Sequence, residues 1–200
     1  MQRSEWIYRE LLYQRIEKGQ FQFTQLAIAK KLGISLSTVN YALRPTEEMG
    51  AIRKTPMGFR LIDPKKLLLF WASKRNLSKN IIYQTRVDTT IKEIEKNMPQ
   101  GVVYTAYSAY KFKFDDVPAD YSEIYVYADD EVLKEFKRQF PKKDGPPNLI
   151  MLEVDSHLNE TTEKSICSIA NMFVDLWNIN SWYAKEFLQA LEKKIDGVLA

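Results

Sequence analysis

The stretch that decides the fold is residues 23–61, with the sequence FTQLAIAKKLGISLSTVNYALRPTEEMGAIRKTPMGFRL. Thr24 stands where a side chain can cap the first turn of a helix. Gly33 stands where that helix must give way to a sharp turn, because glycine adopts left-handed backbone conformations without steric cost. The apolar residues between them have the spacing of one helix face: Leu26, Ala29 and Leu32. A second helix follows, so this stretch is predicted to form a helix-turn-helix.

The second helix is predicted to run from Leu36 to Arg44 and to end at Pro45, because proline has no backbone N–H to donate inside a helix. Val39 and Leu43 have the spacing to pack against the first helix. The other side carries short polar, aromatic and cationic side chains, which can approach base edges and phosphates. The candidate DNA-binding residues here are Ser35, Ser37, Thr38, Asn40, Tyr41 and Arg44. We therefore expect this helix to read the major groove of double-stranded DNA.

A β-hairpin is predicted next, after a short third helix that Met49-Gly50-Ala51-Ile52 closes. Its two strands flank the turn Thr55-Pro56-Met57-Gly58. Three cations in the hairpin have no acidic residue beside them in the sequence: Arg53, Lys54 and Arg60. We expect this hairpin, a wing from Ile52 to Leu61, to lie on the DNA backbone, where these charges meet phosphates.

The same stretch resembles the pattern of winged-helix transcription regulators. The resemblance covers roughly the first third of the chain and rests on Leu26-Ala27, Ala29, Gly33-Ile34-Ser35, Thr38-Val39, Leu43 and Gly50-Ala51-Ile52. It implies a sequence-specific regulator of transcription that binds double-stranded DNA. Winged helices also serve as protein–protein modules and as parts of enzymes, and both roles stay open at this point.

The amino-acid composition excludes several classes of protein, among them membrane-spanning and disulfide-bonded proteins. With 200 residues, 45% of them hydrophobic, the chain can bury the core of one large domain or two small ones. It has no apolar run long enough to span a bilayer and no signal peptide, so we expect a cytoplasmic protein with no membrane partner. Cys167 and His157 are the only cysteine and histidine, which excludes an intramolecular disulfide and a Cys/His zinc site. We predict no cofactor and no metal, with Cys167 in the core and His157 in a surface loop.

The charge is distributed unevenly along the chain. Residues 1–75 hold 14 Lys or Arg against 6 Asp or Glu, a net charge of +8, and residues 76–200 hold 15 against 20, a net charge of −5. An excess of cations is what a phosphate-binding surface requires, although a solvated surface accounts for it as well. The asymmetry favours an amino-terminal module that binds a polyanion.

The predicted fold class is α+β, with a winged-helix domain at residues 1–76 and an α/β domain at residues 80–200. The polar residues 74–79 form the predicted boundary, with limited hinge motion. In the second domain, strands are predicted at residues 80–87, 123–128 and 149–154, and helices at residues 89–98, 131–140, 166–177 and from Ser181 onward. This domain is expected to serve dimerisation, ligand sensing or the binding of a protein partner. A homodimer formed through the carboxy-terminal half is the predicted assembly, with the apolar stripe at residues 166–177 as its candidate surface or, alternatively, as part of the core.

The second half also resembles, in the order of its elements, the nucleotidyltransferase-like domain that follows a winged helix in abortive-infection antitoxins and their archaeal relatives. Tyr107-Ser108 stands where active members place a Gly-Ser pair, and Glu123 stands in the following strand. Tyr125 occupies the position of the second acid that would hold the metal ions. We therefore predict no catalytic residues. Two alternatives to the regulator stay open: a nucleotidyltransferase-like enzyme, or an antitoxin that binds and neutralises a partner enzyme.

Isolated polar and aromatic residues are assigned structural roles. Asp129 is expected to cap the following helix rather than to bind a metal. Asp175 is expected to be partly buried and bonded to a Trp or a backbone donor, with a functional carboxylate as the alternative. Trp177, Trp182 and Tyr183 are expected to pack in the core, with stacking on a base or ligand as the alternative.

Overall fold

The computed structural model describes residues 2–199. Four helices and a small antiparallel sheet, of order β1-β3-β2, form the first part of the fold. The helices are α1 Arg3–Glu17, α2 Gln25–Leu32, α3 Leu36–Glu48 and α4 Pro64–Lys74. The strands are β1 Gln22–Phe23, β2 Ile52–Thr55 and β3 Gly58–Leu61. Helices α2 and α3, joined by a tight turn, and the β2–β3 hairpin follow one another in the order predicted for a winged helix-turn-helix.

Local capping fixes the turn between α2 and α3 as the sequence predicts. Thr24 Oγ1 accepts a hydrogen bond from the Ala27 N–H at 3.1 Å, and Ser35 Oγ accepts one from the Thr38 N–H at 3.1 Å. Gly33 has a φ of 61°, the left-handed conformation that ends α2. The inward face of α2 differs in one residue, because Leu26 is 56% exposed and Ile28 is buried in its place.

Helix α3 does not end at Pro45 but continues to Glu48, so the separate third helix predicted before the wing is wrong. Proline at this position deprives only the Tyr41 carbonyl of its donor, and Tyr41 lies on the exposed side of the helix. The next two carbonyls have side-chain donors. The Tyr8 hydroxyl donates to the Ala42 carbonyl at 3.0 Å, and the Thr46 hydroxyl donates to the Leu43 carbonyl at 2.6 Å. The helix therefore passes through the proline with the loss of one backbone hydrogen bond, on its exposed side.

The second part is a four-stranded mixed sheet of order β4-β7-β6-β5, with helices around it. Its strands are β4 Ile81–Thr85, β5 Val103–Thr105, β6 Ile124–Ala128 and β7 Leu149–Glu153. The β6–β7 pair is parallel and the other two pairs are antiparallel. A 3-10 turn at Leu77–Asn80 leads into it, and its helices are α5 Ile91–Lys96, α6 Ala106–Phe114, α7 Asp130–Gln139, α8 Ser156–Glu160, α9 Ile169–Trp177 and α10 Ala184–Leu199. The predicted α+β class is confirmed.

The start of α9 corrects the sequence prediction of a helix from Ile166. Ser168 caps α9, accepting a hydrogen bond from the Asn171 N–H at 3.4 Å. Ile166 instead lies beside β5, where it forms a parallel bridge with Tyr104. The stripe of apolar residues continues across this boundary because the bridge and the helix bury their apolar side chains in the same core.

Helix α1 lies at the centre of the molecule, where it packs against α3, α4 and α9. Ile7 and Leu11 on α1 are fully buried in a hydrophobic core that extends from the winged helix to α9 and α10. Arg75, within the predicted polar boundary, is only 4% exposed. The division into residues 1–76 and 80–200 stays a prediction, but the segment between them is not a solvated linker. No helix among residues 2–199 is long and apolar enough to cross a membrane.

His157 is buried, which corrects the prediction of a surface loop. It lies on the short helix α8, which Asp155 caps by accepting a hydrogen bond from the Leu158 N–H at 3.0 Å. Its Nε2 lies 2.8 Å from Glu10 Oε2, and Lys31 Nζ of α2 lies 2.5 Å from Glu10 Oε1. Burial alone would raise the pKa of Glu10, but hydrogen bonds from His157, Lys31 and Gln14 and the charge of Lys31 lower it to about 2. The carboxylate is therefore ionised, and His157 donates to it.

The lowered pKa of Glu10 predicts an acid-sensitive contribution to stability. The folded value of about 2 lies below the ordinary value of 4.5, so this contribution is complete above about pH 4.5 and is lost as the pH falls towards 2. A Glu10→Gln variant should be less stable than the wild type at pH 7, and its free energy of unfolding should fall less steeply between pH 4.5 and 2. Urea unfolding at a series of pH values measures both. Equal slopes in the two proteins would contradict the assignment.

Candidate nucleic-acid interface

The outer face of α3 presents four of the predicted DNA-binding residues together. Val39 and Leu43 are buried and fix the orientation of the helix. The four residues follow one another at helical spacing on the opposite side and are all exposed: Ser37, Asn40, Tyr41 and Arg44. Tyr41 is 82% exposed. An exposed amide, phenol and guanidinium on one helix face can form hydrogen bonds to base edges.

Ser35 and Thr38 are already engaged within the protein. Besides accepting from the Thr38 N–H, Ser35 Oγ lies 2.9 Å from Ser37 Oγ and 2.7 Å from Thr38 Oγ1. This hydroxyl cluster holds the first turn of α3. Ser37 belongs to this cluster as well, and the role of all three residues in DNA binding stays a prediction.

Two of the candidate cations have carboxylate partners at the end of α3. Arg44 Nε lies 3.0 Å from Glu48 Oε1, and Lys54 Nζ lies 2.7 Å from Glu47 Oε2. The prediction that Lys54 has no acidic partner is therefore wrong, because the continuation of α3 past Pro45 brings Glu47 beside β2. Exposed pairs of this kind contribute about 0–1 kcal/mol, so a phosphate can replace the carboxylate at little cost.

The remaining two candidate cations face each other on the wing. Arg53 of β2 and Arg60 of β3 are directly paired across the hairpin, and both are exposed. Neither is in an ion pair within residues 2–199. The Arg60 guanidinium lies over the Phe21 ring, 5.8 Å from its centre. Like charges directly opposite each other on a sheet are destabilising, and an anion placed between them removes that cost.

The wing is held against β1 by a close approach that only glycine permits. Gly58 has a φ of 144°, and a Cβ built there would lie 2.1 Å from the Phe23 carbonyl oxygen. The neighbouring residue Phe59 pairs with Phe23 of β1 and stacks on its ring, with the ring centres 5.7 Å apart. The position of the two arginines therefore depends on the absence of a side chain at Gly58.

Asp175, a candidate functional carboxylate in the sequence, belongs to a buried network. Thr105 and Tyr127 donate their hydroxyls to Asp175 Oδ2 at 2.7 and 2.6 Å, and Asn171 donates its amide at 2.8 Å. Arg75 Nε lies 3.4 Å from Asp175 Oδ1. The expected Trp or backbone partner is wrong, and side chains from four elements take its place. Burial raises the pKa of Asp175, and the charge of Arg75 and these hydrogen bonds oppose that rise.

The residues compared with a nucleotidyltransferase site are engaged with aromatic side chains. The Glu123 carboxylate accepts a hydrogen bond from the Tyr183 hydroxyl, and the Tyr125 ring lies 6.3 Å from that of Tyr107. In the described part of the chain, no group of three or more His, Cys, Asp or Glu is placed to hold a metal ion. Asp129 caps α7, as predicted.

The carboxy-terminal aromatic residues divide between core and surface. Tyr183 is buried, Trp177 is 47% exposed and Trp182 is 75% exposed. The prediction that all three pack in the core is therefore wrong for Trp177 and Trp182. Trp182 lies in the turn between α9 and α10, where its ring and that of Tyr183 meet edge to face with their centres 5.4 Å apart.

Sequence reasoning missed the ion pairs that anchor α1. Arg9 Nη2 lies 2.8 Å from Asp155 Oδ2, and Arg9 Nε lies 3.1 Å from Asn171 Oδ1. Asp155 and Asn171 follow Arg9 by 146 and 162 positions in the chain. One weak signal in the sequence could have predicted these ion pairs. Arg9 and Glu10 lie between Ile7 and Leu11 on the same helix, where a charged side chain that faces inward needs a partner.

The comparisons with known proteins give one match. Residues 9–101, just under half of the chain, match the family model of the Firmicute plasmid replication protein (RepL). These residues include α2, α3 and the complete wing. No curated protein and no solved structure matches the chain. The amino-terminal half is thus similar to a family of plasmid replication proteins.

The close approach at Gly58 predicts opposite effects for two glycine substitutions. Gly58→Ala should destabilise the protein by about 1–3 kcal/mol, because the new Cβ collides with backbone at a strained φ. Gly197→Ala is the matched control: it lies in α10 with open space around it and should raise stability by up to about 1 kcal/mol. Thermal unfolding measures both, and a neutral Gly58→Ala would show that the wing does not need this contact.

The network around Asp175 predicts a large and specific loss of stability. Asp175→Ala removes the nearer carboxylate from the buried Arg75 charge and leaves only the longer contact with Glu5, at 3.8 Å, which should cost about 3–5 kcal/mol. Asp196→Ala removes an exposed partner of Lys65 and should cost less than about 1 kcal/mol. Urea unfolding distinguishes the two, and similar losses would mean that the buried network contributes no more than a surface pair.

Proposed function

We propose that this protein binds double-stranded DNA in a sequence-specific manner through its winged helix, and that it acts in plasmid replication. The observation that carries the proposal is the pair Arg53 and Arg60, two exposed cations held opposite each other without a carboxylate between them. A protein that did not bind an anion there would gain stability by losing one of the two charges. We assign this anion as a phosphate of the DNA backbone, because the adjoining helix α3 has the exposed face of a DNA-binding helix.

The two parts of the surface have different tasks in this proposal. Helix α3 enters the major groove, where the Asn40 amide bonds an adenine edge and the Arg44 guanidinium bonds a guanine edge. Tyr41 packs against the groove wall. The wing follows the backbone, where Arg53, Lys54 and Arg60 add affinity with little preference for sequence. As the DNA binds, Arg44 exchanges its contact with Glu48, and Lys54 its contact with Glu47, for contacts with the DNA.

The role in plasmid replication is supported by the RepL match, which includes the whole of the proposed DNA surface. Regulation of transcription uses the same surface and differs in the DNA site that is bound, a promoter instead of a replication origin. Selection of binding sites from random duplexes, followed by mapping of the selected sequence on the host replicon, separates the two roles. The homodimer, the protein partner or small-molecule effector at the second half, and the absence of catalysis stay predictions.

Two substitutions test the division of tasks. Arg44→Ala should cost about 1–3 kcal/mol on the selected site and reduce the preference over random DNA, because it removes a base contact. Arg53→Ala should weaken binding to both DNAs and lower the salt slope by about one unit, because it removes a phosphate contact. Fluorescence anisotropy across a salt series measures both effects. Lys193→Ala, an exposed cation on α10, is the matched control and should leave binding unchanged.

The same variants distinguish binding from folding. Arg53→Ala relieves the repulsion with Arg60, so its free energy of unfolding should not fall even though its DNA affinity does. If the wild type shows no affinity for duplex DNA, or if Arg44→Ala is indistinguishable from it on the selected site, α3 does not bind DNA. The winged helix would then have to be reassigned to protein contacts.

A further inference from the structure

A cleft lies behind the proposed DNA-binding face, between the start of α1, the second half of α3 and the end of α4. Its volume is about 520 Å³, within the range of small-molecule sites. Three aromatic residues line it, Tyr8, Tyr41 and Phe70, together with two cations, Arg44 and Lys74, and two carboxylates, Glu5 and Glu48. We call it the α1–α3–α4 cleft.

The aromatic wall of the cleft is rigid. The Tyr8 and Phe70 rings meet edge to face, with their centres 5.6 Å apart and their planes at 78°. The Tyr8 hydroxyl is tied to the Ala42 carbonyl at 3.0 Å, which fixes that ring against α3. Tyr41 extends beside them into solvent. Tyr8 itself is only 4% exposed, so a flat ring that enters the cleft meets the Phe70 ring that Tyr8 holds in place, and buries apolar area at little entropic cost.

The rim of the cleft has a cation that no carboxylate neutralises. Lys74 Nζ lies over the Phe70 ring, 5.5 Å from its centre, and is in none of the ion pairs within residues 2–199. Arg44 holds Glu48 through an exposed contact of 3.0 Å, which an incoming anion can replace. Glu5 also lines the cleft, but its carboxylate accepts from the Trp71 indole N–H at 3.0 Å and lies 3.8 Å from the buried Arg75 guanidinium, which offsets its charge. Two cations above an aromatic wall select a ligand that is both planar and anionic.

The cleft shares residues with the DNA-binding face. An open depression between α3 and β2, lined by Ser37, Asn40 and Lys54, is the surface that meets DNA in the proposed function. Tyr41, Arg44 and Glu48 line this depression and the α1–α3–α4 cleft alike. These three residues therefore form a ridge between two sites. A guanidinium that pairs with an anion on one side of the ridge cannot bond a base on the other.

We propose that the α1–α3–α4 cleft binds a small planar aromatic anion, a ring that carries a carboxylate or phosphate, and that this ligand competes with duplex DNA for Arg44 and Tyr41. The competition rests on the proposed function, but the binding site itself does not. Because the coupling of two binding sites is reciprocal, the factor by which the ligand weakens DNA binding equals the factor by which DNA weakens ligand binding.

The site is tested first on the full chain without DNA, with 1-naphthoate as the probe and ligand-detected NMR as the measurement. Lys74→Gln should weaken naphthoate binding by about tenfold, because it removes one charge-assisted bond. Lys79→Gln, which removes an exposed cation five positions away, should leave it unchanged. Phe70→Leu keeps the apolar volume and removes the ring face, so it should also weaken binding. The neutral analogue 1-naphthalenemethanol should bind more weakly than naphthoate.

The competition is tested second, with the selected duplex. Naphthoate at a concentration near its wild-type Kd should reduce the DNA affinity of the wild type, and the reduction should be much smaller in Lys74→Gln, whose site that concentration leaves mostly empty. Naphthoate binding that is equal in the wild type, Lys74→Gln and Phe70→Leu would overturn the site. Binding at the cleft that leaves the DNA affinity unchanged would overturn the competition. A wild type that binds naphthoate in this pattern but binds no DNA would overturn the proposed function and the competition together, and would leave the site established.

Discussion

The fold depends on the charge of Arg75, which the end of α4 places inside the protein. A buried guanidinium is costly unless every direction around it is satisfied. Here Asp175 supplies the opposite charge, the Tyr127 hydroxyl lies 3.0 Å from Nη2, and the Asn80 amide oxygen lies 2.6 Å from Nη1. These partners come from α9, β6 and the 3-10 turn. The winged helix and the sheet behind it are therefore joined through one set of polar bonds, in addition to the apolar packing of α1.

Sequence patterns predicted the parts of the fold whose causes are local. The turn at Gly33, the caps at Thr24 and Asp129 and the strands of the wing depend on residues within a few positions of one another. The end of α3 could not be predicted in this way. Pro45 is tolerated because the carbonyl that loses its donor, that of Tyr41, lies on the exposed side of α3, and packing against α1 and α2 decides which side is exposed. A local rule about proline has no access to that packing.

The candidate site shows the same division. Periodicity alone identified Ser37, Asn40, Tyr41 and Arg44 as one exposed face. It did not show that Glu47 reaches Lys54, since that contact requires the longer α3, nor that Arg53 stands opposite Arg60, since that requires the register of the hairpin. His157 and Asp175 were misjudged for a further reason: their partners lie 147 and 100 positions away. The partners of a buried charge come from distant parts of the chain, so the neighbouring sequence does not reveal them.

The long-range bonds of α1 bear on how the chain folds while it is being made. Arg9 and Glu10 leave the ribosome early, but Asp155 and His157 follow only after nearly 150 further residues have been added. During that interval, which lasts several seconds or more at ordinary rates of translation, Arg9 lacks its Asp155 partner, and Glu10 lacks His157 although Lys31 can already pair with it. The amino-terminal helices can form at this stage, but α1 cannot yet adopt its native packing. The nascent winged helix is thus expected to stay loosely assembled, and sensitive to proteases, until the carboxy-terminal segments emerge to complete it.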